Sequence, residues 1–230
     1  MTSIDDKAIV QDYFNTVGFD RWRRIYGEGE VNKVQRDIRV GHQQTVNTVL
    51  AWLEADGDLS GQSFCDAGCG VGSLSIPLAK LGVQVAASDL STKMVEEAQA
   101  RALESLGQDQ NPTFMVQDLE QLTGHYDTVI CLDVLIHYPD AKVAEMIAHL
   151  ASLATSRLIL SFAPWTLGYM LLKQIGNFFP GPSKATRAYL HREFDICDIL
   201  RGQGWQIERR AMTKTSFYFS RLIEARRSQP

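Results

Sequence analysis

No apolar run in this chain is long enough to cross a bilayer. The longest, residues 162–172, is broken by Pro164 and Gly168 and falls well short of the ~20 residues that a spanning helix needs. The opening segment MTSIDDKAIV carries acids where an export signal would be basic, so a cytoplasmic protein is expected. No two cysteines have CxxC spacing. Cys65, Cys69, Cys131 and Cys197 lie apart, two of them in expected strands, and they read as small core hydrophobes; no protein-bound metal is expected. Basic excess is missing too. A formal net charge of −4 and a pI near 5.7 argue against a nucleic-acid binder. Internal repeats and low-complexity tracts are absent. What is left, 230 residues at 45% hydrophobic content, suits a single domain with a proper core.

From Ser63 onward strand-like and helix-like segments alternate. SFCDA (63–67), VQVAASD (83–89), TFMVQD (113–118), YDTVICLD (126–133) and RLILSFA (157–163) are apolar runs of strand length. Helical spacing fills 73–82, where Pro77 is expected to kink the turn or strand a carbonyl, then the segment from Ser91 to Gly107, then about 140–154 and 192–202. WQIERRA and FYFSRLIEARR close the sheet as an antiparallel pair. Buried strands alternating with amphipathic helices predict an α/β, Rossmann-like fold: a seven-stranded, mostly parallel sheet with helices on both faces. The parts are a helical arm (1–57), a core (58–163), an insertion that covers the site after the fifth strand (164–190), and a C-terminal helix with closing strands (191–230). That insertion holds Trp165, Tyr169, Phe178, Phe179 and Tyr189 and three cations, Lys173, Lys184 and Arg187, with no acid at all.

DAGCGVGS follows the first strand. Its glycines let the backbone turn sharply beside a ligand, and the helix behind offers free N–H groups. A dinucleotide site wants Gly or Ala at the sixth place of GxGxxG, and Ser73 stands there instead. Asp66, two residues before Gly68, makes the pattern DxGxGxG, which resembles the class I S-adenosylmethionine-dependent methyltransferases over roughly residues 60–163. By that resemblance Asp66, Gly68 and Gly70 form the cofactor loop. Asp89, with Leu90 beside it, meets the ribose hydroxyls; Asp118 and Leu119 meet the adenine; Asp133 lies by the methionine part. Singly, Asp89, Asp118 or Asp133 could be a helix cap or turn former. At the ends of three successive strands behind such a loop, the set is specific. Met94 falls on the core face of its helix and reads as packing.

The acceptor is chosen elsewhere. GFDRWRRIYGEGE (18–30) spends aromatics as linkers do not and arginines as core helices do not. Together with DVLIHYP and the apolar insertion, it is similar to the magnesium-protoporphyrin IX O-methyltransferases of chlorophyll biosynthesis over nearly the whole chain. The resemblance implies esterification of one propionate of magnesium protoporphyrin IX with S-adenosyl-L-methionine as co-substrate. It also implies partnership with the large subunit of magnesium chelatase, and the insertion is a candidate for peripheral contact with photosynthetic membranes. Tyr26, with Gly27 and Gly29 as hinge, and His137 in the loop after Asp133 are the catalytic candidates; packing and a structural histidine are the plain readings of each. Arg21, Arg23, Arg24 and Arg39 are further candidate carboxylate partners, although for each a solvated helix face is the better expectation. Two alternatives stay open: a class I enzyme acting on a quinone, phenol or other small acid, and a non-catalytic S-adenosylmethionine or porphyrin-binding regulator.

Overall fold

The computed structural model describes residues 3–107, 110–165 and 189–227. Three helices come first: α1 (Ser3–Asn15), α2 (Val17–Ile25) and α3 (Lys33–Ala55). Asn32 starts α3 with a reciprocal cap, accepting from the Gln35 N–H while the Gln35 side chain accepts from its own. The alternating region then runs β1 (Ser63–Ala67), α4 (Ser75–Lys80), β2 (Gln84–Asp89), α5 (Thr92–Leu106), β3 (Thr113–Val116), β4 (Tyr126–Cys131), α6 (Asp140–Leu153) and β5 (Ala154–Phe162). Helix α7 (Glu193–Gly202) and strands β6 (Trp205–Lys214) and β7 (Phe219–Arg227) complete it. Ser91 caps α5 by accepting from the Met94 N–H, and Gly107 ends it in the left-handed conformation.

The strand order is β3-β2-β1-β4-β5-β7-β6, with β1 to β5 parallel and β7 antiparallel to both β5 and β6. The predicted fold is therefore the observed one. Alternate residues of the central strands feed separate layers. Phe64, Ile130 and Ile159 pack with Val46, Val49, Leu53 and Leu78 on one face. Cys65, Val129 and Leu158 pack with Met146, Ile147, Leu150 and Leu200 on the other. All four cysteines are buried and free, as expected of small hydrophobes. Around Pro77 the turn continues, Ile76 N–H donating to Gly72 (3.1 Å) and Leu78 N–H to Leu74 (3.0 Å), so the proline skips one rung.

Strand order reverses between β1 and β4, which opens a crevice at the carboxyl ends of the strands. The arm roofs that crevice. Gln11 donates to the Leu90 carbonyl (3.2 Å), Ser91 Oγ to Asn15 Oδ1 (2.8 Å), and Arg101 to the Tyr26 carbonyl (2.6 Å). At the opposite end of the sheet Asp56 and the fully buried Glu224 gather Arg157, Arg209 and Arg226, joining the end of α3 to β5, β6 and β7.

Candidate active site

Under the arm lies a cavity of about 580 Å³, bounded by the glycine loop, the ends of β2 and β4, and the arm itself. Gly68 turns with φ +86°, and its N–H donates to the Ser88 carbonyl (2.8 Å). A Cβ there would stand 2.2 Å from Val134 Cγ2, so only glycine lets the loop after β4 close against it. Gly70, at φ +53°, has no atom within 4 Å of where its Cβ would be, and leaves bare backbone facing the cavity.

The acids divide by surroundings. Asp66 does not line the cavity; it lies beneath the loop, 2% exposed, accepting one short hydrogen bond from Ser75 Oγ (2.5 Å). Burial pushes its carboxyl up to about 6, against the pull of Ser75. Asp89 lines the cavity and accepts from the Gly70 N–H (3.0 Å) and the Ser91 N–H (2.9 Å); burial still outweighs these bonds and raises it. Asp118 caps the short turn Leu119–Gln121, and both it and Leu119 reach the cavity wall, as does Leu90. Met94 is 2% exposed, packed as its spacing predicts, yet it too forms part of the wall.

Asp133 stands at φ +58°, a strained conformation for a residue with a side chain. Its carboxylate is saturated with donors. Oδ2 accepts from His42 Nδ1 (2.9 Å) and the Tyr218 hydroxyl (2.7 Å); Oδ1 accepts from Ser161 (3.0 Å) and Ser220 (3.3 Å). Burial alone would raise Asp133, but His42, Tyr218 and Ser161 together hold it below the usual carboxylate range.

Tyr26 and His137, far apart in sequence, both face this cavity. Tyr26 ends α2 with its ring between Trp22 (5.4 Å between centroids) and His42 (4.5 Å). Burial, with Asp133 and Asp89 nearby, pushes its phenol well above the ordinary value, so it stays protonated. His137 ends the short turn Leu135–His137 and meets the edge of Phe14 at 5.8 Å. Burial lowers it to about 4 despite the charge of Asp133, and its Nδ1 has no hydrogen-bond partner among the described residues. The loop bearing it is pinned from behind: Tyr189 N–H donates to the Ile136 carbonyl (2.7 Å), and the buried His191 spans the Leu135 carbonyl and Asp140 (both 2.9 Å).

None of the four arginines offered as carboxylate partners lines the cavity. Arg39 instead closes the turn after α2, donating to the carbonyls of Ile25 (2.8 Å), Arg24 (2.6 Å) and Gly29 (2.9 Å). Arg24 donates to the Asp20 carbonyl, Arg23 pairs with Asp20 at 3.6 Å, and Arg21 lies over Trp22. The proposed hinge at Gly27 and Gly29 is thus held by Arg39 on one side and by Arg101 on the other. Most of the insertion expected to cover the site, 166–188, lies outside the described residues.

Sequence reasoning missed His42, Tyr218 and Phe14. One signal pointed to the first two. Gly41 sits inside α3, where a glycine weakens a helix without local benefit, and a Cβ on it would fall 2.3 Å from the Tyr218 ring.

Two family models match the chain: "Methyltransferase domain" over residues 64–156 and "Magnesium-protoporphyrin IX methyltransferase C-terminus" over residues 131–227. The magnesium-protoporphyrin O-methyltransferase of Synechocystis is 66% identical over 98% of this chain and 98% of its own. The chloroplastic magnesium protoporphyrin IX methyltransferase of Arabidopsis thaliana is 60% identical over 96% of this chain and 71% of its own. A crystal structure of magnesium protoporphyrin IX methyltransferase from Synechocystis with bound S-adenosylhomocysteine superposes with a TM-score of 0.90 at 65% identity, covering 96% of this chain and 100% of that one.

Proposed function

The chain belongs to the magnesium-protoporphyrin IX methyltransferase family, and from that premise we propose that it methylates a propionate carboxylate of magnesium protoporphyrin IX. The co-substrate is S-adenosylmethionine, and the products are the monomethyl ester and S-adenosylhomocysteine, in chlorophyll biosynthesis. One observation carries the reading of the site: a bare glycine cradle and two neutral hydrogen-bonding side chains, Tyr26 and His137, face one cavity.

Gly68, Gly70, Asp89, Leu90, Asp118, Leu119 and Asp133 would hold the co-substrate, while Asp66, bonded to Ser75, steadies the glycine loop from below. When bound, S-adenosylmethionine supplies an electrophilic methyl carbon; the carboxylate oxygen bonds to it as the S–C bond breaks and its electron pair stays on sulfur. No proton moves, since a propionic acid with a pKa of ~4.5 is already ionised at neutral pH. The protein must therefore strip water from the carboxylate and aim one oxygen without blunting it. Tyr26 as a phenol and His137 as a neutral imidazole bond an oxygen without the full ion pair that an arginine would impose. The low His137 value also weighs against a phenolic acceptor of pKa ~10, because an imidazole titrating at about 4 is a poor base for it.

Cytoplasmic location, docking to the large subunit of magnesium chelatase and peripheral membrane contact belong to the same proposal. The cation-rich, acid-free insertion 164–190 supports the last two, and liposome flotation tests the membrane part. No helix among the described residues is long and apolar enough to cross a membrane.

The deciding assay compares methyl transfer to magnesium protoporphyrin IX, metal-free protoporphyrin and a quinone precursor. Ester on the magnesium porphyrin is expected, and its absence refutes the assignment. Tyr26→Phe should lose on the order of tenfold to a hundredfold in kcat while keeping cofactor affinity. Full turnover in that variant would remove the hydroxyl from the mechanism.

A further inference from the structure

The cavity wall carries Asp89, Asp118, Glu120 and Asp133, and among the described residues one lysine or arginine, Lys142. The other basic groups on it are already committed. His42 bonds Asp133, and His137 is held neutral by burial. Lys142 stands in the first turn of α6, on the wall that continues from His137 through Tyr138, Pro139 and Ala141. Its backbone is fixed there, the N–H donating to the Pro139 carbonyl (2.8 Å). Its side chain is half-buried and also borders a small recess shared with Glu120, Glu145 and His149.

A dicarboxylic acceptor presents two unlike demands. The reacting carboxylate must stay nucleophilic, which suits the neutral donors Tyr26 and His137. The second carboxylate does not react, keeps its charge as the apolar macrocycle leaves water, and needs a counter-ion away from the transferring methyl. The two propionates of protoporphyrin IX hang from neighbouring pyrroles on one edge, so the counter-ion belongs on the same cavity wall but off the reacting oxygen. An ammonium on a flexible stem meets a carboxylate as a point charge and tolerates some variation in its position.

We propose that Lys142 is the specificity-determining residue that receives the non-reacting propionate; this rests on magnesium protoporphyrin IX being the acceptor. Glu120 and Glu145 compete for the same ammonium, and the site is open to water, so the contribution is modest.

The experiment measures kcat/KM for wild type, Lys142→Met and Lys142→Arg on two acceptors. One is magnesium protoporphyrin IX; the other is a magnesium porphyrin in which an ethyl group replaces one propionate. Wild type should prefer the diacid. In Lys142→Met that preference should fall about three- to tenfold, through KM, and Lys142→Arg should restore most of it. A preference unchanged in Lys142→Met, or not restored by arginine, overturns the role of Lys142 while ester formation by wild type leaves the function standing. Failure of wild type to esterify either porphyrin overturns both.

Discussion

Asp66 and Asp133 lie at the carboxyl ends of neighbouring parallel strands, and burial acts on both in the same direction, yet they end on opposite sides of the ordinary carboxylate range. Asp66 is 2% exposed with a single side-chain donor, Ser75, and rises to about 6. The Asp133 side chain keeps 18% exposure toward the cavity, collects four donors, and is held low. Burial sets the cost of a charge, but the donors that surround it decide the sign. The donors differ in origin as well. Ser75 is 9 residues from Asp66, whereas His42, Tyr218 and Ser220 reach Asp133 across separations of 91, 85 and 87. One acid belongs to a local βα unit; the other is assembled from the arm and the antiparallel end of the sheet.

The contrast breaks most visibly at Asp133. Replacing it by alanine leaves an imidazole, a phenol and two hydroxyls without their acceptor, and keeps a side chain at φ +58°. The expected loss is about 3–5 kcal/mol in urea-induced unfolding. Asp133→Asn, which retains one acceptor oxygen, should recover part of it. An alanine variant as stable as wild type would mean that the network does not hold the arm to the sheet.

Asp66 tests the opposite sign. Its folded value lies above the ordinary 3.8, so its contribution to stability is fully present below that value and is lost as the pH rises through about 6. A displacement of that size is worth about 3 kcal/mol at most. Unfolding free energies at pH 4 and pH 7.5 should therefore differ between wild type and Asp66→Asn, with the variant gaining relative stability at the higher pH. Parallel curves would show that Asp66 titrates alike in both states. For Asp133 the sense is reversed, because stability present above the ordinary value is lost as the pH falls through the lowered one.

This division also marks how far the sequence could be read. SFCDA predicts β1 to the residue, the glycine loop follows it, and Asp89, Asp118 and Leu119 reach the cavity because each ends or follows a strand of the same parallel set. Such βα units are specified by neighbours in the chain, and their residue periods carry the information. The arm was legible as helical and aromatic-rich, and Tyr26 as its notable side chain. Its partners were not legible. Nothing near His42 in sequence points to Asp133, and the arginines of 18–30, which look like ligands for an acid, are used by Asp20 and the Trp22 ring instead. Helix periodicity shows which face is apolar but not what docks against it. Gly41 was the one visible trace of a close approach.

The smallest expected effect is a null, and it reports on the same corner of the molecule. Tyr26 stays protonated far above neutrality, and His137 has lost its proton by about pH 4. A propionate acceptor, at ~4.5, is ionised well before pH 7. No group that touches the reacting oxygen then changes charge between pH 7 and pH 9. With both substrates saturating, kcat should vary by less than about twofold over that range. An ordinary histidine acting as a base would instead give a rise centred near ~6.5 whose upper limb extends past pH 7. Observing that limb would mean that His137 carries a proton in the working complex, and that its surroundings are wetter than the packed wall beside Phe14 allows. A flat profile leaves desolvation and aim as what the arm contributes, and places the charge needed to bind the porphyrin away from the reacting oxygen.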